Sequence, residues 1–221
     1  MNPLWGLALA LAVAVADWSA LKHTWRWLDY LAKPGMMVVL LVTLLLSAPA
    51  PMGRPWFALA LFFSLLGDVF LMLPQEQFSA GLLSFLLAHL AYIVGFARQF
   101  PSRWDGLALM TLLIVGMTAL PGRRILSALS SRGESRLRLP VGIYMGGLAG
   151  MVLAAWSTWV QPAWPPRASV LVGIGALLFL ASDALLAWNR FVHPVRTARL
   201  KVRVLYHIGQ ILLVAGILLA G

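Results

Sequence analysis

An all-α, polytopic transmembrane bundle of about eight helices is the fold class this sequence predicts, and three observations predict it. Apolar residues make up 61% of the chain and the mean hydropathy is +0.87, well outside the range of soluble domains. They gather into runs of about 17–23 residues, the length that crosses roughly 30 Å of hydrocarbon. The charged residues, only 11% of the total, cluster between those runs. The net charge of +10 flanks membrane segments and forms no single basic face, so it reads as topology-setting loop charge and no nucleic-acid partner is expected. There is no cysteine, which excludes disulfides and thiolate metal sites.

The predicted spans, within one transmembrane domain over 1–221, are Pro3–Leu21, Pro34–Ala50, Pro55–Leu73, Ser79–Phe96, Asp105–Leu120, Leu139–Val160, Ala168–Trp188 and Val202–Ala220. In the first, Ala14-Val15-Ala16 imitates a signal-peptide cleavage site. No Lys or Arg precedes the apolar run and a second span follows, so the segment is expected to stay. Lys33-Pro34 opens the second span, and the third carries Gly67-Asp68 late in its run. His89 and Tyr92 share a face of the fourth. The fifth is short and rich in Gly and Thr, the least marked of the eight. Leu139-Pro140 opens the sixth, which also carries Tyr144. The seventh carries Ser182-Asp183, and the eighth Arg203, Tyr206, His207 and Gln210 at helical spacing.

Thirteen of the 17 Lys and Arg fall on one side of these spans: Lys22, Arg26 and Lys33, the arginines from Arg123 to Arg138, and the group from Arg190 to Arg203. Arg54, Arg98, Arg103 and Arg167 fall on the other. The positive-inside rule makes the basic side cytoplasmic and puts both termini outside. The matched positions of Pro34 and Pro140, Asp68 and Asp183, and the His and Tyr pairs of the fourth and eighth spans suggest a 4+4 parallel repeat, although their spacings drift.

Asp183 lies about six residues, roughly 9 Å, inside its helix end. A carboxylate at such depth costs on the order of 2.5–3.5 kcal/mol, and the chain accepts that cost again at Asp68. With the predicted topology both sit near the cytoplasmic end, level with Lys33, Tyr144, Arg203, Tyr206, His207 and Gln210; His89 and Tyr92 lie near mid-depth. The polar content therefore converges on one intramembrane pocket open to the basic side. Each residue also has a plainer reading. Asp17 is close enough to the boundary to reach interfacial water, the reading preferred for it. Lys33 and Arg203 can snorkel to headgroups. The histidines and tyrosines can be packing residues, the aspartates can be contacts between helices, and most of the ten Trp form an aromatic belt. No Gly-rich phosphate loop, Gly-x-Ser-x-Gly elbow or His-Glu-x-x-His occurs, and no metal or other cofactor is expected.

Lys33-Pro34, Gly67-Asp68, His89-x-x-Tyr92, Ser182-Asp183 and Tyr206-His-x-x-Gln210 together resemble the YhhN/lysoplasmalogenase family of integral membrane proteins over nearly the whole chain. Animal members hydrolyse the vinyl ether bond of lysoplasmalogens, giving a fatty aldehyde and glycerophosphocholine or glycerophosphoethanolamine. The resemblance implies Asp68 and Asp183 as catalytic residues. It also implies a lysophospholipid substrate, for which the pocket residues Lys33, His89, Tyr92, Tyr144, Arg203, Tyr206, His207 and Gln210 are the expected binding residues, in a bacterial inner membrane whose lipids surround the bundle. The chemistry fits. Vinyl ether hydrolysis begins with protonation of the β-carbon, then water attacks the oxocarbenium ion, so it needs one carboxylic acid and one carboxylate, which neighbouring buried carboxyls supply. Two other classes stay open. A proton-coupled small-solute transporter would use the aspartates as a relay but needs access from both faces. A zinc-dependent, ceramidase-like lipid hydrolase would use His89, His207 and an Asp but wants a third histidine at depth, and His23 and His193 fall in loops.

Overall fold

The computed structural model describes residues 3–75, 77–97 and 105–221, the side chains of 105–107 excepted; the expected loop charges Arg98 and Arg103 lie outside the described residues. Its helices are α1 Pro3–His23, α2 Arg26–Leu45, α3 Arg54–Met72, α4 Phe78–Phe96, α5 Asp105–Ser131, α6 Arg138–Ser157, α7 Pro166–Ala187 and α8 Ala198–Leu219, with no strand among the described residues. All eight are long and apolar enough to cross a membrane, and the protein is an integral membrane protein.

Two boundaries differ most from the predicted spans. The second helix starts at Arg26, a full two turns before Pro34, which lies inside it. Its opening turns are too polar to count in an apolar run, and Asp29 sits in the first turn, where the helix dipole favours a carboxylate. A proline inside a membrane helix is tolerated where neighbours satisfy the freed backbone groups. Asp29 and Lys33 consequently stand one turn apart on one face. The fifth helix continues through Pro121 to Ser131. Arg123 and Arg124 are exposed on it, so they need no loop to be solvated. A 3-10 turn, Ser135–Leu137, leads into α6, and a π-helical turn, Trp188–Val192, extends α7.

Seven helices close a ring in the order α1, α2, α3, α4, α6, α7, α8 and back to α1, while α5 packs outside it against α6 and the π-turn. The Arg132 guanidinium fastens α5 to that turn by donating to the carbonyls of Arg190 and Val192 at 3.1 and 3.3 Å. The most extensive pairs, α3–α4 and α7–α8, hold corresponding places in the two halves of the chain. Apolar contact alone gives helices in lipid no reason to associate, so close approach through small residues decides which pairs are tight. In the α7–α8 pair the backbones touch: a Cβ added to Gly175 would lie 2.8 Å from both the Gly209 carbonyl oxygen and the Leu213 nitrogen. In α3–α4, Gly67 receives the Phe85 ring. The ends of α3 and α4 away from the basic side are closed by Phe57, Tyr92, Phe96 and Trp164, with ring centroids 5.0–6.5 Å apart.

Candidate active site

At the basic end, between α2, α3, α7 and α8, lies a cavity of about 550 Å³. Its walls carry Asp29 and Lys33 from α2, Asp68 from α3, Ser182 and Asp183 from α7, and Arg199, Arg203 and Tyr206 from α8. The π-turn brings Asn189 and Arg190 to the rim; an extra residue per turn re-aims side chains and is frequent at functional sites. Asp68 and Asp183, at corresponding depths of α3 and α7, thus face one space.

Their partners differ. Asp68 is buried and held on both oxygens: Lys33 Nζ lies 3.0 Å from Oδ1, and the Tyr206 hydroxyl donates to Oδ2 at 2.7 Å. Lys33 Nζ also lies 3.4 Å from the Asp68 carbonyl oxygen. Lysine and carboxylate, only 10% and 3% exposed at their side chains, neutralise each other inside the bundle, as a buried ion pair must. Asp183 is half-buried and accepts a short hydrogen bond from the Tyr144 hydroxyl. Its contact is a neutral phenol, and no ion pair joins Asp183 to a described cation.

Asp183 and Tyr144 also line a second, narrow space of about 100 Å³ between α4, α5, α6 and α7, whose other walls are almost entirely apolar. Leu71, Phe85, Asp183 and Leu186 are common to the polar cavity and this slot. Asp183 stands where the two meet.

Beside Asp68, a separate ionic group joins α1, α2 and α8. Arg203 donates to Asp17 at 2.6 Å and, in a shorter contact, to Asp29; Arg199 approaches Asp29 at 3.6 Å. Asp17 is fully buried, not in interfacial water as its sequence position suggested, because its cation arrives from the other end of the chain. Arg203 is likewise buried instead of snorkelling. His207 lies 3.9 Å from Asp17, but its Nδ1 accepts a hydrogen bond from Trp18 Nε1 at 3.1 Å. A nitrogen used as an acceptor cannot at once donate to the carboxylate, so this approach is not an ion pair.

The remaining candidates stand behind the walls. Tyr92 donates to Gln210 at 2.6 Å, and Gln210 donates to Ser64 at 3.1 Å, which clips α4, α8 and α3 together at depth. His89 is fully buried, edge-on to Tyr144 and Phe179 with centroids 5.1 and 5.0 Å away, and both ring nitrogens lack a hydrogen-bond partner. Lys33, Asp68, Asp183, Arg203 and Tyr206 therefore line the cavity, Tyr144 joins them through Asp183, and His89, Tyr92, His207 and Gln210 do not reach its surface. Among the described residues, no group of three His, Asp or Glu is placed to share a metal ion.

Asp29, Asn189, Arg190 and Arg199 also line the cavity and were not singled out from the sequence. Asp29 had a signal, its one-turn spacing from Lys33, concealed by starting the second span at Pro34. Asn189 and Arg190 had none, since the π-turn that aims them interrupts the regular period.

The YhhN family model matches residues 28–217. The lysoplasmalogenase of Mycobacterium bovis is 30% identical over 186 residues, 81% of this chain and 67% of that protein. Lysoplasmalogenase TMEM86B of Mus musculus is 32% identical over 190 residues, 85% of this chain and 74% of the relative. The uncharacterized membrane protein YhhN of Escherichia coli O157:H7 is 30% identical over 178 residues, 78% of this chain and 80% of its own length. No solved structure matches the chain at a significant level.

Proposed function

The chain belongs to the YhhN family, and from that premise we propose that it is a membrane-embedded hydrolase cleaving the vinyl ether bond of lysoplasmalogens. The products would be a fatty aldehyde and a glycerophosphocholine or glycerophosphoethanolamine. The observation that carries this reading is the unequal pair of carboxyls on one cavity: Asp68 neutralised by a lysine, Asp183 bonded to a phenol.

Asp183, at the junction of polar and apolar space, is the general acid. It delivers a proton to the β-carbon of the double bond, and the ether oxygen's lone pair stabilises the cation at the neighbouring carbon. Asp68, kept as a carboxylate by Lys33 and Tyr206, supports that oxocarbenium ion electrostatically and accepts a proton from the attacking water. The hemiacetal then breaks its bond to the glycerol oxygen, which takes up a proton as the aldehyde leaves; one water is consumed. Tyr144 orients Asp183. Arg203, Arg199 and Arg190 give the cavity the donors a phosphate needs, and the second layer of His89, Tyr92, His207 and Gln210 braces the walls. The basic end faces the cytoplasm of a bacterial inner membrane with both termini outside, a reading that rests on charge asymmetry. Reporter fusions at Gly221 and Gly133 check it, and an internal Gly221 overturns it.

Purified protein should release aldehyde from a 1-alkenyl lysophospholipid and leave the matched 1-acyl lipid intact. An acyl ester has no electron-rich double bond to protonate, and its cleavage needs a stronger nucleophile such as zinc-bound hydroxide. Chelator should change little. Acyl or amide cleavage lost with chelator and restored by zinc would establish a metal hydrolase instead. Proton-coupled solute uptake into liposomes, without lipid cleavage, would establish a transporter.

A further inference from the structure

The apolar slot beside Asp183 has one feature that sets it apart from an ordinary packing gap. It adjoins the polar cavity, the two sharing Leu71, Phe85, Asp183 and Leu186 as wall residues. At its other end it is lined by Met117 of α5, which is 59% exposed on the lateral surface of the bundle. The lining therefore changes from the surface that faces hydrocarbon, past a carboxyl, to a neighbouring space furnished with arginines. Its chemistry changes along its length in the order of a single-chain lipid, hydrocarbon first and anionic headgroup last.

We infer that this slot is a lateral portal for the hydrocarbon chain of a lysophospholipid, entered from the bilayer beside α5, with Gly122 and Met145 setting its width. The inference rests on the lipid-hydrolase reading and adds the route and the chain site. At about 100 Å³ the slot is well below the roughly 300–1,000 Å³ of sites that enclose a whole small ligand. It grips only the carbons next to the headgroup and passes the rest of the chain out into the membrane. That arrangement sets the first carbon–carbon bond of the chain at Asp183 and suits chains of different length equally. It also gives the loosely attached α5 a role, since the helix outside the ring forms one wall of the entrance.

Width is set where α5 meets α6. A Cβ on Gly122 would fall 2.2 Å from the Met145 Cε, so a larger residue there drives the Met145 side chain into the slot. Gly146 on α6 is the control, because a Cβ added to it meets nothing within 4 Å.

The test uses the full chain in nanodiscs and a 1-alkyl lysophosphatidylcholine carrying a diazirine near the ether end of its chain, a saturated ether with no vinyl group to protonate. Irradiation should label α4 and α5 near Leu82 and Met117, and excess unlabelled 1-alkyl lipid should compete it away. Because a side chain at Gly122 displaces Met145 into the slot, Gly122→Leu should reduce competed labelling about tenfold. Gly122→Leu combined with Met145→Ala should restore most of it, which a merely misfolded variant would not do, and Gly146→Leu should label like wild type. Competed labelling on α1, α2 or α8 instead, no competed labelling anywhere, or undiminished labelling in Gly122→Leu would overturn the portal. Because the probe reports binding alone, portal labelling in a protein that cleaves no vinyl ether would sink the proposed reaction and leave the portal standing. Cleavage without portal labelling would do the reverse.

Discussion

Asp68 and Asp183 occupy corresponding places in the two halves of the chain, each following a small residue late in the first helix of a tight pair. Around Asp68 that small residue, Gly67, admits the Phe85 ring, and Lys33 and Tyr206 close on the carboxylate. Around Asp183 the small residue is Ser182, whose hydroxyl donates to the Val202 carbonyl at 3.0 Å and ties α7 to α8, while the carboxyl accepts from Tyr144 and has no ion pair among the described residues. The half that packs α5 outside the ring leaves an apolar slot beside its carboxyl. Similar positions thus acquire different electrostatics from their neighbours alone, which is what the proposed division into acid and base requires.

The comparison can be broken most directly at the carboxyls. Asp183→Asn and Asp68→Asn should each lower vinyl ether turnover by about 10²–10⁴-fold, the usual worth of a general acid or base. Aldehyde release measures it, and more than about a tenth of wild-type activity would make that aspartate structural. Next in size is the lysine. Lys33→Met strands a buried carboxylate and should lower stability in detergent by about 3–5 kcal/mol. Adding Asp68→Asn should recover most of that stability without recovering activity. A double-mutant cycle on unfolding reads the coupling, and additive losses would mean that the pair does not act as one. Smaller is Tyr144→Phe, which removes the Tyr144 hydrogen bond to Asp183 and should slow turnover by about tenfold, near the lower end of what a bond to a charged group is worth. Smallest is Tyr206→Phe, about threefold, because Lys33 still holds Asp68. If Tyr206→Phe proved the more damaging of the two, the roles of the aspartates would have to be exchanged.

Much of this was legible in the sequence because lipid imposes long apolar runs and makes every interruption conspicuous. All eight helices are found where runs were predicted, and Asp68, Asp183, Lys33, Arg203 and Tyr206 do share one cavity. What stayed hidden follows from the same signal. Hydropathy sees the apolar part of a helix and not its polar turns, so α2 seemed to start at Pro34 and α5 to stop at Leu120. Asp17 read as interfacial because its depth is measured along α1, whereas its burial depends on Arg203, 186 positions away in sequence. The unequal partners of the two aspartates are likewise long-range: Lys33 reaches Asp68 from the neighbouring α2 and Tyr206 from α8 across the ring, and no local pattern announces them. His89 shares a face with Tyr92, as the spacing says, yet that face turns toward packed rings and not toward the cavity.

The contact between Gly175 and Gly209 works as a fulcrum. It lies eight positions before Asp183 on α7, about 12 Å along the helix, and three positions past Tyr206 on α8. Two backbones in direct touch have no rotamers to adjust, so a bulkier residue there can be accommodated only by tilting α7 against α8. The Ser182–Val202 hydrogen bond and the gap between Asp183 and Tyr206 would shift with that tilt, without either residue being altered. A mutational screen confined to the cavity walls would overlook the residues that determine how far apart those walls stand.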